Sequence, residues 1–360
     1  MPSIPTSTRG VGARLLLAFF GISAFSALVA VAAIYAFYEV GQSLTLIDRR
    51  IDPILASLEV SRSVERIVNS SSNLSSVTTE EARERVFAGL SHKSAKLHSL
   101  LNELRNGGIG DERLTPIEER AVQLDANLTA LDGDVRLRLQ LIGRIKDLMR
   151  GVFDTNEETQ RLLSPTLLVY DSQIGRLIAL MDPGQGQEPA WQVFQPLVAG
   201  LLAERQVQRV QQQTSDAADA LAQASVNENK QRLLILAFQL RRKIADLEKG
   251  AQGLEPKLRP LFLAQVEKFK TLADGPTSIP LLRQQELGLI ADANRLLGEN
   301  STLSDELTAA AEQLVETTKQ EVRAATGSAL RVQRISTEAI TSVHDSIQPR
   351  NGWTMRLVKT

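Results

Sequence analysis

Cysteine is absent from this chain of 360 residues. The absence excludes disulfides, thiol nucleophiles and thiolate metal sites together, and it does not indicate a redox compartment. A strong charge of either sign is also lacking, since 41 lysine and arginine residues face 42 aspartate and glutamate residues and the formal net charge is −1. Such a balance predicts that the chain has no nucleic-acid partner.

Aromatic residues are scarce, at 4% of the sequence, and six of them fall between residues 19 and 38. A core with so few rings must be built from Leu, Ile, Val and Ala at helical spacing. No stretch alternates apolar and polar residues with β-branched enrichment between turn signals, as half-buried strands do. The sequence therefore predicts an all-α fold that is elongated and bundle-like.

One long apolar run is present, from Leu15 to Tyr38, and its 24 residues carry no charge. A helix of this length reaches roughly 36 Å, enough to cross a hydrocarbon layer of about 30 Å. The alternative is a cleaved secretion signal, with Arg9 and Arg14 as a positive leader and Ala30-Val31-Ala32 as a cleavage pattern. Because the apolar stretch of a signal peptide is usually about 7 to 15 residues, we expect a transmembrane helix.

The membrane helix divides the chain into four predicted regions. Residues 1–14 form a cytoplasmic N-terminus, because Arg9 and Arg14 bias that end inward, and residues 15–38 form the single span. Residues 39–335 form an extracytoplasmic helical domain, and residues 336–360 form a polar tail. This arrangement predicts a membrane-anchored protein with most of its chain outside the cytoplasm.

Apolar residues at intervals of four and three continue beyond the span, through Val40, Leu44, Ile47 and Ile51. They predict that the membrane helix extends outward as an amphipathic stalk. Pro53 removes a helical hydrogen bond, but the apolar stripe resumes directly after it. We therefore expect a kink at Pro53, not a helix end.

The following helices are predicted from caps and breaks. A polar tract at residues 69–81 reads as a break, with Thr78 or Thr79 capping a helix over residues 80–106. Asn106-Gly107-Gly108 is a favoured terminator of that helix. The next helix is expected to begin near Thr115-Pro116.

That next helix is expected to run toward Met181, with interruptions at Gly151 and at Ser164-Pro165. The strongest loop signal in the chain is at residues 182–189, DPGQGQEP. It is a natural apex between two long antiparallel helices.

The return half is predicted to contain helices at 191–226 and 227–250, then breaks around Pro256, Pro260 and Pro276. Helices at 281–298 and 301–335 follow, the last opened by Ser301 or Ser304. Along this last helix, small residues keep the spacing of a coiled coil and form a candidate signalling seam. The seam residues are Ala311, Val315, Thr318, Val322, Ala325, Ala329 and Val332.

No constellation of residues predicts catalysis, a metal site or a cofactor. His92 and His98 are six residues apart, which places them on different helix faces, unlike the i, i+4 pair of a zinc site. Gly184-Gln185-Gly186 lacks the preceding strand and the following Gly-Lys-Ser/Thr of a phosphate loop. Asp132-Gly133-Asp134 lacks the other ligand positions of a calcium loop and reads as a surface kink in a helix.

Trp191 and Phe194 lie one helical turn apart directly after the apex loop. Aromatic residues are enriched in binding hot spots, so the pair is a candidate contact for a partner protein. The alternative is that the two rings pack the end of a bundle.

An N-terminal membrane helix, a stalk bent at Ile51-Asp52-Pro53-Ile54-Leu55 and a closing segment ELTAAAEQLVETTKQEVRAATGSALRVQRIS together resemble bacterial transmembrane receptors. The length of the helical region is similar to the sensor region of TorS-type hybrid histidine kinases, the trimethylamine-N-oxide sensors. The resemblance covers residues 14–335 and rests on architecture, so no ligand residue is carried over. It implies stacked helical bundles, a homodimer and a periplasmic binding protein that carries the ligand.

The chain departs from that family after residue 335, where STEAITSVHDSIQPRNGWTMRLVKT replaces the expected second membrane helix and kinase module. We therefore expect a non-enzymatic input region, a pattern that a truncated or frameshifted gene and a partner-dependent receptor would each produce. A chemoreceptor-type domain that binds a small molecule directly between helices remains an alternative. A third hypothesis is an anchored structural or adaptor protein whose helices form a dimeric spacer.

Overall fold

Seven helices form the structure, a computed structural model that describes residues 11–181 and 191–347. They are α1 (Val11–Ser75), α2 (Glu80–Asn106), α3 (Asp111–Leu180), α4 (Trp191–Val226), α5 (Lys230–Ala251), α6 (Arg259–Asp274) and α7 (Ile279–Ile347). No strand occurs in the described residues, which confirms the all-α class. The predicted apex loop at residues 182–189 lies outside the described residues.

Helix α1 is 65 residues long and continues through Pro53 without a break, as the resumed apolar stripe predicted. Ser57 lies one turn after Pro53, and its hydroxyl donates to the Pro53 carbonyl oxygen at 2.8 Å. Across the described residues, none of the helices contains an apolar stretch of the length that a bilayer crossing needs. The membrane span at residues 15–38 therefore stays a prediction.

The predicted bounds of α2 are confirmed, but the break predicted at residues 69–81 is shorter than expected, because α1 continues to Ser75. The Thr79 hydroxyl accepts a hydrogen bond from the Ala82 backbone N–H at 3.2 Å, so Thr79 caps the helix. At the other end, Gly108 has a φ of 81°, a left-handed conformation that favours glycine. A Cβ on Gly107 would lie 2.8 Å from the ring of Pro53, so the turn after α2 packs directly on the stalk proline.

Three predicted breaks are wrong, because the helices continue through them, and one predicted helix start is too late. Helix α3 begins at Asp111, before Thr115, and runs unbroken through Gly151 and Pro165 to Leu180. Helix α7 runs unbroken through Asn300 and Ser301. Burial accounts for these differences, since Thr155, Thr159 and Asn300 are buried beside the expected breaks and packing outweighs weak local propensity.

The chain forms two compact units. Unit 1 is drawn from the described parts of Met1–Val68, Ser91–Leu124 and Ser301–Thr360. Its core is aliphatic, as the scarcity of rings predicted. Ion pairs join its helices at the surface, including Lys96 to Glu59 at 2.9 Å and Arg120 to Glu306 at 2.6 Å.

Unit 2 is drawn from Asn69–Leu90 and Asp125–Asn300. Helices α4, α5 and α6 pack with α3 around one apolar cluster. Two of its rings, Phe262 and Phe269, are each only 1% exposed and are among the largest fully buried side chains. The Asn229 side chain caps α5 by accepting from the backbone N–H groups of Gln231 and Arg232.

Candidate partner-binding surface

Helices α3 and α4 run antiparallel within unit 2. Gln160 of α3 is hydrogen-bonded to Gln211 and Ser215 of α4, and nearer the end of the pair Gly200 lies against Ile174. Ile174 is 7% exposed and Leu197 is 8% exposed, so these two residues pack inward. The contacts fix which face of α4 turns outward.

The outward face of α4 carries a stripe of large apolar residues. Phe194, Val198, Leu201 and Leu202 are 44%, 38%, 46% and 63% exposed. Their spacing of four, seven and eight residues from Phe194 places them on one side of a helix. At the facing end of α3, Ile178 and Leu180 are also exposed, at 55% and 69%, but two residues apart they lie on different sides of that helix. We call the four exposed residues of α4 the hairpin surface.

The hairpin surface is almost free of charge at its centre. Gln195, Pro196 and Ala199 are the exposed neighbours between its apolar residues, and the first charged side chains beyond Leu202 are those of Glu204 and Arg205. Glu204 accepts a hydrogen bond from Gln208 at 2.8 Å. An apolar centre with a polar edge is the composition of a protein-binding site.

Tyr170 fixes α3 beside the hairpin surface. Its hydroxyl donates to a Glu255 carboxylate oxygen at 2.5 Å, which ties α3 to the segment that precedes α6. Burial first, and then the hydrogen bond and the charge of Glu255, raise the pKa of Tyr170 to about 12. The hydroxyl therefore stays protonated as a donor across the physiological pH range.

The candidate residues from the sequence fall at different places. Phe194 lies on the hairpin surface, while Trp191 is the first residue of α4 and its side chain lies outside the described residues. In the candidate seam, Ala311, Val315 and Thr318 are buried inside unit 1, and Val322 and Ala325 are half-buried. The side chains of Ala329 and Val332 lie outside the described residues.

Sequence reasoning missed the other members of the hairpin surface. The stretch from Val193 to Ala203 is apolar on every face of the helix, so its periodicity does not show which side meets solvent. Only the packing of α3 against α4 separates the buried Leu197 from the exposed Val198.

The Asp132-Gly133-Asp134 motif lies within the unbroken α3, and a kink there stays a prediction. Asp132 forms an ion pair with the buried Arg83. The pKa of Asp134 is raised from its ordinary value, first by partial burial and then by the nearby charge of Asp292. Among the described residues, no group of three or more His, Asp or Glu side chains is arranged to hold a metal ion.

Comparison with solved structures identifies the fold. The crystal structure of the TorS sensor domain in complex with TorT, in the presence of TMAO, matches with a TM-score of 0.63 and 16% sequence identity. The match covers 74% of this chain and 99% of the TorS chain. The fold is that of a TorS sensor domain.

A second TorS sensor domain, from the V. parahaemolyticus histidine kinase, matches with a TM-score of 0.59 and 14% identity, again over 74% of this chain and 99% of its own. No known family profile and no curated protein sequence matches the chain. Both TorS structures are sensor domains, not catalytic domains, and this chain covers essentially the whole of each.

Proposed function

We propose that this chain is the membrane-anchored, extracytoplasmic sensor region of a bacterial two-component receptor and that it lacks catalytic activity of its own. The observation that carries the proposal is the match to TorS sensor domains over 99% of their length. A TorS sensor domain forms a complex with TorT in the presence of TMAO. By analogy, the ligand of this chain is delivered by a periplasmic binding protein.

The apolar run at residues 15–38 supports the anchor. Within it, α1 exposes Leu17, Phe19, Ile34 and Phe37, each at least 70% accessible. Exposed apolar surface of this extent is unfavourable in water and favourable in a hydrocarbon layer. We place this run in the inner membrane as a single span, with the bulk of the chain in the periplasm.

The hairpin surface supports docking of the binding protein. Its apolar residues lie on a helix that packs against α3, and a surface that is already ordered loses less entropy on binding. Phe194 supplies an aromatic anchor of the kind that dominates protein interfaces. Trp191, one turn earlier, extends the same contact in this proposal.

Signal transmission in this proposal is a small displacement of long helices in a homodimer. A partner that binds one helix arrangement more tightly shifts the population toward that arrangement. The candidate seam of small residues from Ala311 to Val332, which we expect to pack weakly, and the proline at residue 53 are the places where we expect movement.

Site-specific photocrosslinking in bacterial cells tests the docking surface. We expect p-benzoylphenylalanine at Phe194 or Leu201 to crosslink the same periplasmic solute-binding protein, identified by mass spectrometry. Phe238 is the matched control, because its ring on α5 is 68% exposed, more than that of Phe194, and it lies outside the hairpin surface. Equal adducts at Phe194 and Phe238, or adducts only with other copies of the chain, would contradict the proposal.

A further inference from the structure

A groove in unit 2 lies between helices α3 and α7. Leu137, Leu141 and Arg144 line it from α3, and Gly288, Leu289 and Asp292 line it from α7. Its volume is about 490 Å³, within the range of roughly 300–1,000 Å³ that small-molecule sites occupy. The groove is thus large enough for a small organic ligand.

The centre of the groove is apolar and open. Leu137 is 47% exposed, although it lies beside the partly buried Leu141 and Leu289. Gly288 adds no side chain, and a Cβ built on it meets no atom within 4 Å. Gln140 and Gln285 also line the groove and supply amide groups for hydrogen bonding.

One end of the groove is positive. Arg144 is exposed there, and no ion pair or hydrogen bond joins it to another residue in the part of the chain that the structure describes. A guanidinium group presents a planar fork of donors that matches a carboxylate. This end therefore suits an anionic group of a ligand.

The other end of the groove is negative. Asp292 lines it, and Asp134 lies close enough for the two carboxylates to interact. Arg295 approaches Asp292 at 3.9 Å but binds Glu299 more closely, at 2.7 Å. Three carboxylates thus share one guanidinium, so this end keeps an excess of negative charge and suits a cationic group.

The two ends are separated by a distance that a short linear molecule spans. Asp134 and Arg144 are ten residues apart on α3, or about 15 Å at a rise of 1.5 Å per residue. Side chains on a helix tilt toward its N-terminus, so on these antiparallel helices Arg144 and Asp292 tilt toward each other. The span between their charged groups is therefore shorter than that between their backbones.

We propose that this groove binds a linear zwitterion whose carboxylate pairs with Arg144, whose apolar chain lies on Leu137, Leu141 and Leu289, and whose ammonium group lies at Asp292. An ω-amino acid or a short peptide has this chemistry. The site does not depend on the docking of a protein at the hairpin surface. It gives the chain a direct input besides the proposed one.

Isothermal titration of the purified full-length chain in a non-ionic detergent tests the site. The probes are the ω-amino acids from 4-aminobutyrate to 8-aminooctanoate, with hexanoate and hexylammonium as controls that each lack one charge. We expect one member of the series to bind with an optimum in length, and at least tenfold more tightly than either control. Absence of binding across the series, or equal binding of hexylammonium, would overturn the proposal.

Three variants locate the bound molecule. Arg144→Gln and Asp292→Asn should each weaken binding at least tenfold, while Arg150→Gln, at an arginine paired with Asp147 on the same helix, should leave it unchanged. Gly288→Leu should abolish binding, because the new side chain fills the groove. This variant should also remain folded, since the added Cβ meets no atom and leucine favours helix. Full binding by Gly288→Leu would place the ligand elsewhere and overturn the assignment.

Discussion

Replacing Arg83 by alanine is expected to lower the free energy of unfolding by about 3–5 kcal/mol, the cost of removing one partner from a buried ion pair. The Arg83 side chain is 9% exposed and binds Asp132, which is 15% exposed. It also donates to Glu80 at 2.7 Å. The alanine variant leaves the Asp132 carboxylate without its cation in a place that water scarcely reaches.

Urea unfolding of the full-length chain, followed by circular dichroism, measures this loss as a shift in midpoint. Arg85→Ala is the matched control, because Arg85 is exposed two residues away on the same helix. A double variant, Arg83→Met with Asp132→Leu, should recover much of the stability, since no buried charge remains unpaired. Equal midpoints for the Arg83 and Arg85 variants would contradict this description of the pair.

The ion pair between Arg83 and Glu80 predicts a pH dependence. The hydrogen bond from Arg83 is the largest effect on the pKa of Glu80 and lowers it below the ordinary value of 4.5. A carboxylate with a lowered pKa in the folded state stabilises the fold above its ordinary pKa. This contribution is lost as the pH falls through the lowered pKa. The difference in stability between the wild type and Arg83→Ala should therefore begin to shrink below pH 4.5.

Replacing Asn300 by leucine is expected to raise the free energy of unfolding, on the order of 2–4 kcal/mol, because each buried polar group without a partner costs about 1–3 kcal/mol. Asn300 is fully buried in α7. Neither its amide nitrogen nor its amide oxygen has a hydrogen-bond partner in the described part of the chain. Leucine has the same number and branching of side-chain heavy atoms as asparagine, and none of them is polar.

The urea midpoint also measures the effect of Asn300→Leu. Asn127→Leu is the comparison, because Asn127 is 5% exposed and its amide donates to Glu299 at 3.4 Å. That replacement should lower stability, since it removes a partner from Glu299. A lower midpoint for Asn300→Leu would contradict the prediction, because it would show that the amide of Asn300 has hydrogen-bond partners. In bundles a buried amide often fixes the register of packed helices at a cost in stability, and we expect that role for Asn300.

Many of the helix bounds along the chain follow from local sequence signals. The bounds of α2 at 80–106 and of α4 at 191–226 agree with the predictions, because a capping threonine, a terminating glycine pair and an apex loop mark them strongly. The continuity of α1 through Pro53 was also predictable, since the apolar stripe resumes after the proline.

The wrong boundaries share a physical cause. Weak helix formers stand at each wrong break, namely Gly151, Pro165 and the Asn300-Ser301 pair. An interpretation from neighbouring residues alone ends the helix at each of them. In the structure, buried neighbours such as Val152 and Leu163 keep α3 helical across two of these positions. Packing across the bundle is a non-local contribution that the spacing of residues along one helix does not contain.

The candidate surface was predictable only at Phe194. Its ring next to a strong loop marks the end of a helical hairpin, whereas Val198, Leu201 and Leu202 look like core residues in the sequence. The groove between α3 and α7 was not predictable, since Arg144 and Asp292 are 148 positions apart in the numbering and only the antiparallel packing of the two helices brings them to one cavity.

The most direct test of the account is the location of the chain in the cell. Because the natural sequence has no cysteine, a single cysteine at the exposed Arg85 can be labelled without background. We predict that a membrane-impermeant maleimide labels Arg85→Cys in intact bacterial cells with a permeabilised outer membrane, and that the labelled chain sediments with the inner membrane. Labelling only after cell lysis, or recovery of the chain in the supernatant, would contradict a membrane-anchored extracytoplasmic sensor.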